Sequence, residues 1–469
     1  MNSETAQRFD AIIVGAGQAG PALAGRLTAA GQTVAVIERK LVGGTCVNYG
    51  CIPTKTLVAS AHAAHLARRG HDFGVVTGDV TVDMAAVKAR KDRISGGDRE
   101  GLESWLEGMK GCTLIRGHAR FEGPHTLRVG DRLLAADRIF LNVGGRAVAP
   151  DMPGLADVDY LTNVGILELD TLPEHLVVIG GSYIALEFAQ MYRRFGARVT
   201  VVERGPRLTA REDEDVSAAI KEILENEGIE IVLGADAISF AKRAVDSGDS
   251  GAPGGFTVTP RDGAAPIAGS HLLVAVGRVP NTDDLGLDAA GVETDDRGYI
   301  VVDDQLRTSV EHIWALGDCN GRGAFTHTSY NDFEIVAANL LDDDPRKVSD
   351  RVTTYALYID PPLGRAGMTA EQARRAGRKA LVGKRPMTRV GRAVEKGETQ
   401  GFMKVIVDAD TQEILGAAIL GVGGDEVVQD ILDVMTAKLP YTAISRTMHI
   451  HPTVSELVPT VLQELEPLE

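Results

Sequence analysis

Residues 10–38 read DAIIVGAGQAGPALAGRLTAAGQTVAVIE. The apolar run Asp10–Val14 predicts a short strand, GAGQAG at 15–20 a glycine turn, and the stretch to Ala30 a helix. Thr33–Ile37 predicts a second strand that ends in Glu38. Strand, glycine turn, helix, strand and acid in that order form a dinucleotide-binding unit. Gly15 allows the tight turn, Gly17 lets the backbone approach a pyrophosphate, and Gly20 lets the helix pack on the strand. The helix N-terminus would hold the phosphates. Glu38, 18 residues beyond Gly20, stands where an acid bonds ribose hydroxyls.

The pattern occurs twice. LVVIG from Leu176 runs into Gly180-Gly181-Ser182-Tyr183-Ile184-Ala185, a helix to Phe195, and the strand Ala197–Val202 ending in Glu203. Ser182 and Ala185 replace the second and third glycines, a small loss of clearance. Two such units imply two dinucleotides and an α/β fold with two Rossmann-like domains. Between them lie a helix near Met84–Met109 and strands near 113–145. The short strands Leu272–Val276 and Ile313–Leu316 are expected to complete the first sheet, followed by a helix from about Tyr330. From about Thr353 the pattern becomes mixed strands and helices with no glycine fingerprint, an α+β C-terminal domain. The expected organisation is 1–150 and 270–350 as the two parts of one dinucleotide domain, 151–269 as the second, and 351–469 as the third. Val245–Phe256 is Gly/Ser/Pro-rich and charged, a solvated hairpin loop.

With 469 residues the chain exceeds a single core, and its 53 glycines suit many tight turns. A net charge of −16 argues against nucleic acid or an anionic membrane as partner. No apolar run reaches the roughly 18 residues that span a bilayer. The polar segment Met1–Arg8 has no secretory character, so the cytosol is the expected compartment. Four cysteines in so long a chain do not make a disulfide scaffold. Cys46 and Cys51, spaced Cys-x4-Cys without a second pair, are poor zinc ligands, and no resident metal site is expected.

That leaves redox chemistry. The segment GGTCVNYGCIPTK, 43–55, follows the first unit directly, which sets the two cysteines beside whatever that unit binds. A disulfide at this spacing needs a distorted helix start, for which Gly50 and Pro53 are suited. A thiolate near a helix N-terminus is expected to have a lowered pKa. Two buried structural cysteines in a tight turn are the plain alternative. Cys112 and Cys319 read as inert.

GGTCVNYGCIPTK resembles the active-site signature of the class I pyridine nucleotide–disulfide oxidoreductases, which include glutathione reductase, dihydrolipoamide dehydrogenase and mercuric reductase. The resemblance covers essentially the whole chain. It includes GAGQAG, Gly117-His118-Ala119-Arg120-Phe121, Val276-Gly277-Arg278-Val279-Pro280-Asn281, Trp314-Ala315-Leu316-Gly317-Asp318, Gly367-Met368-Thr369 and His451-Pro452-Thr453-Val454-Ser455-Glu456.

The resemblance implies FAD and NADH or NADPH as cofactors. It implies Cys51 as the thiol against the flavin and Cys46 as the thiol that meets the substrate. Lys55 would sit near the flavin, paired with Glu187, and Tyr183 would move aside for nicotinamide. Asp318 would bond the ribityl chain and Ala119 the adenine end, with Gly44, Thr45 and Gly277 among the cofactor-binding positions. His451, oriented by Glu456, would be the acid–base of the other subunit's thiols in a homodimer. Glu187 alone would read as a solvated helix face, and His449 as structural. Glu203 bonds a ribose hydroxyl and repels a 2′-phosphate, which favours NADH, although Arg204 and Arg207 stand nearby.

Departures from the family narrow the branch. No cysteine follows 319 and no N-terminal metal-binding domain is seen, unlike mercuric reductases with a metal relay. Gly25 beside Arg26 departs from the substrate arginine of glutathione reductases, and GGSYIA from the complete fingerprint of dihydrolipoamide dehydrogenases. With GGTCVNYGCIPTKTLV, Phe325-Thr326 and Pro361-Pro362-Leu363-x-Arg365, the chain is similar to mercuric reductase-like proteins lacking the relay, including the reactive-chlorine-resistance flavoproteins. The expected activity is reduction of a small disulfide or thiol-bound metal ion. Dihydrolipoamide dehydrogenase, glutathione reductase, or a flavin or quinone reductase with dispensable thiols are the alternatives. A binding subunit of a multienzyme complex has no docking arm in the sequence to support it.

Overall fold

A computed structural model describes residues 6–148, 150–243 and 255–468. It divides into two compact units: Met1–Thr56, Ala89–Val148 and Gly277–Arg351 form one, and Leu57–Lys88, Ala149–Val276 and Val352–Glu469 the other.

The first unit is built on β1 (Gln7–Val14), α1 (Ala19–Ala29) and β2 (Val34–Glu38). Parallel pairing runs from Cys112–Arg116 through β2 and β1 to Arg132–Leu141 and Ile313–Ala315. The antiparallel strands Thr126–Val129 and Ala119–Gly123 extend the sheet to seven strands. Because both faces of the parallel part are covered, β2 is buried along its whole length and reads as a continuous apolar run. Ile12, Ile13, Leu23, Leu27 and Ile37 share this core, each contributing about 1.5–3 kcal/mol on burial.

Two helices continue from this unit, α2 (Gly44–Tyr49) and α3 (Cys51–Arg68), and the long helix Met84–Gly108 follows.

The second unit carries a four-stranded parallel sheet: Glu230–Val232, Arg198–Val202, His175–Ile179 and His271–Val274. The strand expected at Leu272–Val276 therefore belongs here and not in the first sheet. Its residues pair in register with Leu176–Ile179, and the chain returns to the first unit at Gly277. Periodicity identifies a strand but not its neighbour. Three antiparallel strands, Ser239–Lys242, Phe256–Thr259 and Ile267–Gly269, follow the parallel sheet. The loop expected at Val245–Phe256 lies almost wholly outside the described residues; the strands flanking it pair antiparallel.

The same unit ends in a six-stranded antiparallel sheet, Thr354–Leu357 to Glu466–Pro467, covered by the helix Gly424–Thr436. Leu363, Phe402 and Leu420 of this sheet share a core with Leu186, Phe188 and Leu224. Among the described residues no helix is long and apolar enough to cross a membrane.

Candidate functional site

In the first unit the glycine turn leaves no room for side chains. Gly15 has φ +103°, and a Cβ there would lie 2.2 Å from the Asn142 carbonyl oxygen. A Cβ on Gly20 would lie 2.4 Å from the Gly15 oxygen, and one on Gly17 3.3 Å from Asn142 Nδ2. Glu38 is buried and braces the turn, accepting from the Ala16 amide at 2.9 Å and the Lys40 amide at 2.7 Å. Gly117 donates its amide to the Glu38 carbonyl at 3.0 Å, which brings the strand of Ala119 to the same edge.

Sequence reasoning left Arg39, Lys40, His118 and Arg146 without a role. With Asp283 and Asp284 they line a cavity of about 500 Å³ next to Glu38.

The cysteine segment is fastened to this turn. The Gly43 amide donates to the Ala16 carbonyl at 2.8 Å, and a Cβ on Gly44 would lie 2.9 Å from the Gly17 Cα. Helix α2 stops at Gly50, where a Cβ would lie 2.9 Å from the Thr45 oxygen, and Cys51 opens α3. Both cysteines are half-buried. The Cys46 thiol is hydrogen-bonded to Cys51, and the Thr326 hydroxyl bonds Cys46 as well as lying 3.0 Å from Cys51 Sγ.

The hydrogen bond to Cys51 pushes the Cys46 thiol well up, and burial and the charge of a Cys51 thiolate add to this. Thr326 and the Lys55 ammonium pull the other way and do not prevail. This corrects the lowered pKa expected for a thiol at a helix start, as far as Cys46 is concerned. Two acids in contact cannot both ionise easily, so the Cys46 thiol is held up and a second charge on the pair is disfavoured.

Asp318 lies in the turn Gly317–Asn320 that follows the strand Ile313–Ala315. Burial raises its carboxyl above the usual range, while Arg278, 3.7 Å away, opposes this. Gly277, at φ +143°, precedes Arg278 and holds a backbone conformation that residues with side chains rarely adopt. Arg278 Nη2 also reaches Thr45 Oγ1 at 3.5 Å. Cys319 is fully buried, donates to the Leu316 carbonyl at 3.3 Å, and is pushed up to about 12 by burial. Burial likewise pushes Cys112 up to about 11.

In the second unit Gly180 has φ +115°, and a Cβ there would lie 2.6 Å from the Ala275 oxygen. Ser182 stands at the N-cap position of the helix Tyr183–Phe195 without a side-chain capping bond, and Ala185 is buried. Glu203 accepts from the Gly205 amide at 2.6 Å, and its carboxylate fills the space beside Gly181. Tyr183 lies edge-on to Tyr355, with ring centroids 5.3 Å apart, and its hydroxyl donates to Glu212 Oε1 at 3.4 Å. Tyr355 donates to the same oxygen at 2.7 Å, and the fully buried Arg365 guanidinium pairs with Oε2. Nothing in the sequence flagged Glu212. Glu187 is buried and accepts from the Tyr358 amide at 3.0 Å, which corrects its reading as a solvated face.

His451 is exposed, and its Nδ1 lies 2.9 Å from Glu456 Oε2 and 3.2 Å from Oε1. His449 Nδ1 meets the Thr447 carbonyl at 3.0 Å.

The geometry therefore groups Cys46, Cys51, Thr326 and Lys55 beside the first glycine turn, and a second such turn stands in the other unit. The chain belongs to the pyridine nucleotide-disulphide oxidoreductase family: residues 9–332 match that family and 353–462 its dimerisation domain. It is 36% identical to the probable pyridine nucleotide-disulfide oxidoreductase RclA of Escherichia coli, over 96% of this chain and 97% of that one. Mercuric reductase of Streptomyces lividans is 33% identical, with 97% and 96% covered. Dihydrolipoyl dehydrogenase of Haloferax volcanii is 32% identical, with 95% and 94% covered. A solved structure described as the HOCl-induced flavoprotein disulfide reductase RclA of Escherichia coli matches with TM-score 0.87 at 35% identity, covering 97% and 99%. The chain is thus an oxidoreductase of a family that works with FAD and NAD(P)H.

Proposed function

We propose that this protein takes electrons from a reduced nicotinamide and delivers them, through Cys46 and Cys51, to a disulfide or a thiol-bound metal ion. The observation that carries the proposal is the hydrogen-bonded sulfur pair fastened by Gly43 and Gly44 to the first glycine turn.

The first unit fits FAD: its turn has no clearance for side chains, and Glu38 and Asp318 offer carboxyl groups to hydroxyls. Gly15, Gly17, Gly20, Gly44, Thr45, Ala119 and Asp318 would hold it. Bound FAD supplies the two-electron relay between a nicotinamide hydride and sulfur. The second unit would hold the nicotinamide dinucleotide at Gly180, with Tyr183 shielding its ring site. Glu203 favours NADH there, since a carboxylate repels a 2′-phosphate.

Because Cys46 holds its proton tightly, it needs a base before it can attack. His451, with Nδ1 set by Glu456, would serve as that base for the other subunit's thiols in a homodimer. Cys46 then attacks one acceptor sulfur and expels the other as a thiolate, which receives the proton from His451. Cys51 attacks Cys46 Sγ, releasing the second acceptor thiol and closing the Cys46–Cys51 disulfide. Lys55 stabilises negative charge beside the pair. A relative's solved structure is described as a Cu(II) complex, which supports a metal ion as an acceptor for this chain too.

Anaerobic titration of the holoenzyme with NADH should produce a long-wavelength thiolate–flavin band, and Cys51→Ser should abolish it. Cys46→Ala should keep the band and lose turnover with disulfides and Cu(II). Full turnover in Cys46→Ala would instead identify a flavin or quinone reductase.

A further inference from the structure

We propose that Glu212 is a positioning residue that latches Tyr183 over the nicotinamide site and releases it at low cost. The proposal rests on the reading of Tyr183 as the shield of that site and adds what holds the shield in place.

Tyr183 is the first residue of the helix Tyr183–Phe195 and follows the turn Gly180-Gly181-Ser182 directly. Glu212 is tied to the same turn through the backbone. The Thr209 amide donates to the Gly181 carbonyl at 2.8 Å, and the Glu212 amide donates to the Thr209 carbonyl at 2.8 Å. Thr209 is buried and holds φ +43°, a left-handed conformation unusual for a β-branched residue. Strain of this kind persists only where the surroundings fix the backbone. A rigid segment therefore delivers the Glu212 side chain to Tyr183.

The Glu212 carboxylate is fully buried, and both of its oxygens are engaged. Oε2 accepts from Arg365 Nε at 3.1 Å and from Nη2. Arg365 Nη1 is buried with no hydrogen-bond partner among the described residues, so the bonds of this cation go to Glu212. Oε1 is shared by two hydroxyls: Tyr355 donates to it at 2.7 Å and Tyr183 at 3.4 Å. The two tyrosines are also bonded to each other, with their rings edge-on.

Tyr355 thus holds the short bond and Tyr183 the long one. A hydrogen bond weakens with length, so the carboxylate restrains Tyr183 without locking it. When Tyr183 swings out, Tyr355 still satisfies Oε1, and no buried acceptor is left bare. Tyr355 also sets the strength of the latch, because it competes for the oxygen that Tyr183 would otherwise bond closely.

Glu212 itself is a poor target for substitution, since its loss would strand the Arg365 cation in the interior. Deleting the hydroxyls one at a time reads the latch instead. NAD+ and ADP-ribose, which lacks the nicotinamide, are titrated calorimetrically into the oxidised holoenzyme. The ratio of their dissociation constants, NAD+ over ADP-ribose, isolates the cost of moving the shield. In Tyr183→Phe the latch is gone, and the ratio should fall about fivefold. In Tyr355→Phe the oxygen is left to Tyr183, whose bond tightens, and the ratio should rise about fivefold. The double variant should match Tyr183→Phe, because no latch remains to tighten. Deletions that merely loosened packing would move the ratio in one direction, and that result overturns the proposal. An unchanged ratio in either single variant, or a double variant that departs from Tyr183→Phe, overturns it as well. Should Tyr355→Phe not accumulate folded, Tyr183→Phe decides alone. Failure of ADP-ribose to bind the unaltered protein would instead remove the nicotinamide assignment, and the latch with it.

Discussion

The two glycine turns share a plan and differ in tightness. Around Gly15 a methyl group would meet backbone oxygen at 2.2 Å, and around Gly20 at 2.4 Å, so the first turn tolerates nothing larger than hydrogen at either position. Around Gly180 the corresponding distance is 2.6 Å, and the later positions already carry Ser182 and Ala185. Their acids differ too. Glu38 is buried and accepts two amides, from Ala16 and Lys40, whereas Glu203 is half-exposed and accepts one, from Gly205. Under the proposed assignment, the tighter first turn suits a cofactor that stays bound and the looser second one a dinucleotide that exchanges.

Four substitutions probe that contrast. Gly15→Ala should have the largest effect: the clash and the positive φ together should cost about 3 kcal/mol or more and yield protein poor in flavin. Gly180→Ala should retain flavin while weakening nicotinamide binding about tenfold, on the scale of 1.4 kcal/mol. Flavin-to-protein absorbance ratio, denaturant unfolding and the KM for NADH separate the two cases. Equal flavin loss in both would erase the distinction. Glu203→Gln should lower the NADH-over-NADPH preference in kcat/KM by about tenfold, because it removes the charge that repels a 2′-phosphate. An unchanged ratio would leave Glu203 as a brace for Gly205 alone. Ser182→Gly should do least, within about 0.5 kcal/mol in KM terms, since the second turn has already absorbed the larger residue. A marked gain would show that the serine restrains the loop.

Much of this was legible in the residues themselves. Both strand–turn–helix–strand units stand within three residues of where the apolar runs place them, because short-range pattern and glycine chemistry decide them. What spacing could not show is who pairs with whom. The strand His271–Val274 joined the second sheet rather than the first. Glu187 has the look of a surface residue because its partner, the Tyr358 amide, is 171 positions away. Glu212 and Arg365, 153 positions apart, form a buried pair that neither residue advertises. Thr326 was visible as part of a resemblance, but a threonine has no chemical signature until the Cys51 sulfur is found against it.

The anchoring of α2 also limits how such a molecule can be altered. The sulfurs hang from the nucleotide turn through one amide, Gly43 to Ala16, and one bare α-carbon contact, Gly44 on Gly17. With no slack between Glu38 and Cys46, insertions there would uncouple donor from acceptor at once. New acceptors must therefore be accommodated by remodelling whatever approaches the thiols from outside, while the sulfur geometry itself stays frozen across any such change of trade.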